Sequence, residues 1–142
     1  MDDDSHDLKS ESDSQVIPNP HDRFVRGYFS DPVTAKGLLE VNLPAELTKI
    51  LDLGRISVEN SHFVDERLRE FESDLLFRVP RMDRDTPTDA FVYVLWEHQR
   101  QRDSWMVLRM WIYLSMIYKS FIDDGTVAKK LPFVYPVILY QG

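Results

Sequence analysis

The chain has no cysteine, which excludes both a disulfide framework and a thiolate zinc site. Glycine is scarce, and Gly27, Gly37, Gly54 and Gly125 are too dispersed to form a loop that cradles phosphate. The four histidines are scattered and none stands in a His-Glu-x-x-His pattern, so nothing points to a histidine zinc site. The N-terminus lacks an apolar stretch and is acidic, the opposite of a secretory signal peptide, and a cytoplasmic location is expected by default. A membrane span is not expected either. The longest apolar segment, Trp105 to Ile122, is interrupted by Arg109, Ser115 and Lys119 and reads as a core helix.

What is present suits one domain with a proper core: 142 residues, 43% hydrophobic and 29% charged, are the proportions of a soluble globular protein. The net charge of −7 is concentrated at the start, where Asp2, Asp3, Asp4, Asp7, Glu11 and Asp13 face Lys9 alone. Residues 1–18 are therefore expected to be an acidic, disordered tail, and 19–142 the folded domain.

Helix start signals recur at Asn19-Pro20, Asp31-Pro32 and Asn42-Leu43-Pro44, each a capping residue close before a proline. The third helix is expected to end at Gly54. Arg55 to Glu59 reads as a short strand. Two strong strand signals follow, Ser73 to Val79 and Phe91 to Gln99, rich in aromatic and β-branched residues. The polar segment Pro80 to Asp89 between them has the composition of a hairpin loop. After the long helix, Leu131 to Tyr140 reads as a buried strand in which Pro136 implies an edge position or a bulge. A helix between two strands usually makes a parallel crossover, so the expected fold class is α/β, a mixed sheet flanked by helices.

Side chains alternate along a strand, so Tyr93, Leu95, Glu97 and Gln99 share one face. Folding the hairpin near Asp85 and Thr86 sets Asp74 against Glu97, Leu75 against Trp96, Leu76 against Leu95 and Phe77 against Val94. Directly opposed side chains lie about 4.5–5.5 Å apart at Cβ. Two carboxylates at that spacing repel unless a cation bridges them or one holds a proton, and sparse carboxylate sets of this kind suit Mg²⁺. On this reading, loss of one carboxylate relieves strain, and Asp74→Ala melts no lower than the parent without metal. Each residue also has a plainer reading: Asp74 as a cap at the hairpin's open end, Glu97 as the salt-bridge partner of Arg78 or Arg100. Arg109 serves either a phosphate group or the polar end of the sheet, and His21 and Asp22 begin a helix where an acid is favoured.

Asp74 followed by Glu97-x-Gln99 on the next strand resembles the PD-(D/E)xK nuclease superfamily. The surroundings are more specific. Asn19-Pro20-His21-Asp22-Arg23-Phe24, Leu43-Pro44-Ala45-Glu46-Leu47, Phe63 to Leu68 and Ser73 to Phe77 are similar to the Rpn family of recombination-promoting nucleases, also called YhgA-like transposases. So are Glu97-His98-Gln99, Leu108-Arg109 with Tyr113, and the ending Leu131 to Gly142. The resemblance implies a PD-(D/E)xK nuclease-like fold with extra N-terminal helices and a Mg²⁺-dependent DNA endonuclease linked to recombination. Asp74 and Glu97 would be metal ligands, joined by the backbone carbonyl of His98. Gln99 would replace the superfamily lysine and orient water or a phosphate oxygen, without the lysine's charge. The partners implied are DNA and, in a homo-oligomer, a second copy; no membrane is implied. Family members usually continue into a further C-terminal region, and Gln141-Gly142 stands where histidine-glycine is common. The alternative is a non-catalytic nuclease half that binds DNA or regulates a partner.

Overall fold

The computed structural model describes residues 20–59, 63–68, 71–85, 88–98, 103–125 and 130–140. Three helices come first: α1 (Pro20–Phe29), α2 (Pro32–Asn42) and α3 (Ala45–Thr48). Strand β1 (Ser57–Glu59) leads to the hairpin of β2 (Glu72–Pro80) and β3 (Asp89–Glu97), then helix α4 (Met106–Asp123) and strand β4 (Val134–Tyr140). The expected acidic tail, residues 1–18, lies outside the described residues, as does Asn19.

Local chemistry accounts for most boundaries. Asp31 caps α2, its carboxylate accepting the Thr34 amide at 3.0 Å, with Pro32 at the first position, where its missing N–H costs nothing. Gly125 follows α4 with φ of 77°, the left-handed conformation that glycine takes without a Cβ clash. Gly54 behaves differently from expectation. α3 ends at Thr48, and Gly54 sits inside a 3-10 turn, Leu53–Arg55, because Leu51 pairs with Arg81 and the Asp52 amide donates to the Pro80 carbonyl at 2.8 Å. The chain is tied to the sheet there before it can continue as helix, and β1 is correspondingly short.

The sheet order is β1-β2-β3-β4, with β1-β2 and β2-β3 antiparallel and β3-β4 parallel. Pro136 sits on the edge strand β4, as its missing N–H requires. β3 lies inside the sheet and is buried along nearly its whole length, which explains its unbroken apolar run. Its two faces serve two cores. Val92, Val94 and Trp96, with Leu75, Phe77 and Val79 of β2, pack against Val25 of α1 and Ala35 and Leu39 of α2. Phe91, Tyr93 and Leu95, with Leu76, pack against Met106, Met110, Tyr113, Ile117 and Phe121 of α4. Each fully buried large side chain contributes about 1.5–3 kcal/mol, so the hairpin is gripped from both sides. No helix among the described residues is long and apolar enough to cross a membrane.

Candidate functional site

The hairpin forms, but two residues out of the expected register. Glu72 stands opposite Glu97, Ser73 opposite Trp96, Asp74 opposite Leu95, Leu75 opposite Val94, Leu76 opposite Tyr93 and Phe77 opposite Val92. Asp74 is therefore the diagonal neighbour of Glu97 and not its direct partner. A slip of one residue would turn every side chain to the wrong face, but a slip of two leaves each face unchanged. Alternation therefore cannot choose between these registers. The loop end makes the choice: Pro80 pairs with Asp89, and the Arg78 guanidinium lies over the Phe91 ring, 5.4 Å from its centroid.

The correction brings in a third acid, Glu72, which the sequence reading did not use. Glu72, Asp74 and Glu97 lie on one face at the open end of the hairpin, 0%, 1% and 0% exposed. Burying a carboxylate is costly unless it is paired and hydrogen-bonded, and the partners are specific. Asp74 Oδ1 accepts from Arg26 of α1 at 3.0 Å; Oδ2 accepts from the Tyr93 hydroxyl at 2.8 Å and from the Phe63 and Val64 amides at 2.9 and 3.2 Å. Glu72 accepts from Arg109 through Oε1 and from the Tyr113 hydroxyl through Oε2 at 3.0 Å. Arg109 thus serves the polar end of the sheet. The carboxylates also tie separate elements to the hairpin: α1 through Arg26, α4 through Arg109 and Tyr113.

Both guanidiniums are shared. Arg26 also bonds the buried Asp22, Nε to both oxygens at 3.3 Å, and Arg109 also pairs with Asp103. Four carboxylates, Asp22, Asp74, Glu72 and Asp103, are thus distributed over two guanidiniums, with Glu97 beside them in the register. Among the described residues, then, four carboxylates meet two guanidiniums, and a negative excess of that kind favours a bound cation or a proton. Burial, and then the Asp74 charge, push Tyr93 well above the ordinary tyrosine range; Tyr113 is raised too, chiefly by burial. Both hydroxyls stay protonated and available as donors. We expect Tyr113→Phe, which removes a donor from a buried charged acceptor, to cost about 1.5–3 kcal/mol and lower the melting temperature by several degrees. Unchanged melting would show that Glu72 does not depend on that bond.

His98 continues β3 through its amide, which donates to the Phe71 carbonyl at 2.6 Å. Its ring bonds Ser73 Oγ through Nε2 at 3.0 Å and stacks on His21 at 4.7 Å between centroids. The imidazole is thus packed between β2 and α1. Gln99 lies outside the described residues. Glu72 had left one signal in the sequence: Glu72-Ser73-Asp74 places two acids on one face of any strand through them. Nothing in the spacing pointed to Arg26, which comes from an element 48 residues away from Asp74.

Hard oxygen donors are the right chemistry for a divalent cation such as Mg²⁺, and the charge excess fits one. A carboxylate offers about four lone-pair positions. Asp74 Oδ1 uses one, on Arg26, while Oδ2 takes the other donors. Among the described residues no three His, Asp or Glu side chains are grouped to hold an ion by themselves, so main-chain or water oxygens would have to complete its shell.

Residues 19–142 match the model of the family described as "Putative transposase, YhgA-like". The chain is 32% identical over 123 residues to the "Recombination-promoting nuclease RpnD" of Escherichia coli O157:H7, covering 87% of this chain and 45% of that one. It is 30% identical over 124 residues to the "Inactive recombination-promoting nuclease-like protein RpnE" of Escherichia coli K12, 87% of this chain and 40% of that one. A third relative from the same strain, the "Putative inactive recombination-promoting nuclease-like protein YjiP", is 35% identical over 94 residues, 66% of this chain and 87% of that one. The chain spans less than half the length of the first two. No solved structure matches it.

Proposed function

We propose, from the premise that the chain belongs to the YhgA-like transposase family, that it is a metal-dependent endonuclease cutting DNA phosphodiesters in the cytoplasm, of the PD-(D/E)xK type. One observation carries this reading. Three buried carboxylates, Glu72, Asp74 and Glu97, share one face at the end of the hairpin.

Asp74, through Oδ1, and Glu97 would hold the ion, with the His98 carbonyl completing the protein's share. Bound there, a divalent cation such as Mg²⁺ supplies an activated water and stabilises charge on the phosphoryl oxygens. The rest of the work falls to the chain's own groups. Arg26, Tyr93 and the Phe63 and Val64 amides fix the Asp74 carboxylate in one orientation, the kind of support that a reacting geometry needs. Arg109 and Tyr113 do the same for Glu72. Gln99, two residues beyond Glu97 in the position of the superfamily lysine, orients water or a phosphate oxygen by hydrogen bonding alone.

The test is direct. Incubated with supercoiled plasmid, the chain is expected to give nicked or linear product with Mg²⁺ and none with EDTA. Absence of product with Mg²⁺ would favour the second reading, a non-catalytic DNA-binding or regulatory protein. Relatives named inactive make that the reading to test against.

A further inference from the structure

At the opposite end of the hairpin lies a cavity of about 620 Å³. From Phe91 at its edge to Glu97 is six residues along β3, about 20 Å at 3.3 Å per residue, so it is no extension of the carboxylate site. Four cationic side chains line it, Arg78, Arg81, Arg84 and Lys130, against two acids, Asp85 and Asp89. Glu59 and Asp83, which pair with Arg78 and Arg81 from outside the lining, offset two of these cations.

Its cations are of two kinds. Arg78 and Arg81 are held in place: Arg78 Nε bonds Glu59 at 2.5 Å and Nη1 bonds Asp89 at 3.4 Å, while Arg81 gives Nε and Nη2 to Asp83 at 2.9 and 2.7 Å. A guanidinium has five N–H donors, so each keeps some for a ligand while its position is fixed. Arg84 and Lys130 are exposed and pair with no carboxylate among the described residues. Arg84 acts on the nearby Asp83 carboxylate through its charge, without an ion pair. Apolar surface adjoins the cations, with Phe133 and Leu131 both exposed in the lining. The volume falls in the range of small-ligand pockets, about 300–1,000 Å³. Fixed and free cations beside an aromatic ring are the combination that binds single-stranded nucleic acid, phosphates on the cations and a base on the ring.

We infer that this cavity is a second nucleic-acid contact, which takes a nucleotide unit of a DNA strand with its phosphates on Arg78, Arg81, Arg84 and Lys130 and its base against Phe133. The inference relies on the nuclease reading only for the polymer's identity.

The test is the binding of a fluorescein-labelled single-stranded 12-nucleotide DNA, followed by anisotropy in EDTA so that no cleavage intervenes. The parent is expected to bind with a marked salt dependence. Arg84→Glu with Lys130→Glu is expected to weaken binding about tenfold or more and to lower the slope of log K against log salt by about 1.4, or about 0.7 for each lost phosphate contact. Arg84→Gln with Lys130→Gln, which only neutralises the charges, should shift both in the same direction. Parental affinity and slope in both charge variants would overturn the inference, and so would a parent that binds no oligonucleotide. Displacement of the oligonucleotide by an equal concentration of deoxyadenosine monophosphate would assign the cavity to free nucleotides and overturn the strand reading. The nuclease reading is judged separately, by plasmid cleavage with Mg²⁺, and its failure would leave the results in EDTA unchanged.

Discussion

Asp74→Ala is expected to lower the melting temperature by about 10 °C or more, corresponding to a loss of about 3–5 kcal/mol. This reverses the expectation drawn from repulsion between paired acids, and the magnitudes show why. With an effective dielectric constant of about 20, two like charges about 7 Å apart, the diagonal spacing of neighbouring strands, repel by about 2 kcal/mol. At about 4 Å the attraction to a cation is about 4 kcal/mol, and Arg26 approaches Asp74 to 3.0 Å. Removing the carboxylate forfeits that attraction. It also strips a partner from the Tyr93 hydroxyl and from the Phe63 and Val64 amides, at about 1–3 kcal/mol for each buried group left unsatisfied. Arg26→Ala should destabilise for the mirror-image reason, and the double variant by less than the sum, since both belong to one network. Thermal melts of the four proteins without metal test this. An Asp74→Ala protein as stable as its parent would mean that the carboxylate is a burden in the fold and not an anchor.

The hairpin and the parallel crossover were legible because their signals are local. Proline after a capping residue placed α2, alternation with aromatic and β-branched residues placed β2 and β3, and the long apolar helix between strands implied the parallel pairing of β3 and β4. Pro136 limited its strand to an edge position or a bulge, and β4 is an edge strand. The hairpin register was not legible. A shift of two preserves every face, so the pattern allowed Asp74 opposite Glu97 as readily as Glu72 opposite Glu97. That ambiguity hid Glu72, although the face shared by Asp74 and Glu97 was read correctly. Arg26 was beyond reach for a different reason, and Arg109 could be read only as one of two alternatives, of which the polar end of the sheet is the one observed. Their roles depend on how α1 and α4 dock against the sheet, and an arginine on an amphipathic helix looks the same in sequence whether it meets water or a buried acid. Gln99, central to the sequence argument, lies outside the described residues, and its role rests on the resemblance alone.

The second large effect belongs to Glu97. Glu97→Gln keeps the shape of the side chain and removes one charge from a face on which Glu72 stands directly opposite. No buried volume is lost, so melting should stay within a few degrees of the parent. Cleavage should not survive. A neutral amide is a poor ligand for a hard cation, and the loss should exceed the 10–100-fold drop that is common when only a residue hydrogen-bonded to a metal ligand is changed. Glu97→Gln therefore separates catalysis from folding more cleanly than any change at Asp74, which serves both.

Conversion of supercoiled plasmid to nicked or linear product, followed with Mg²⁺ for the parent and for folded Glu97→Gln at equal concentration, tests the central claim most directly. The parent should cut with Mg²⁺ and stop in EDTA, and Glu97→Gln should leave the plasmid supercoiled. Cutting by Glu97→Gln at the parent's rate would contradict the assignment of this carboxylate cluster as the active site.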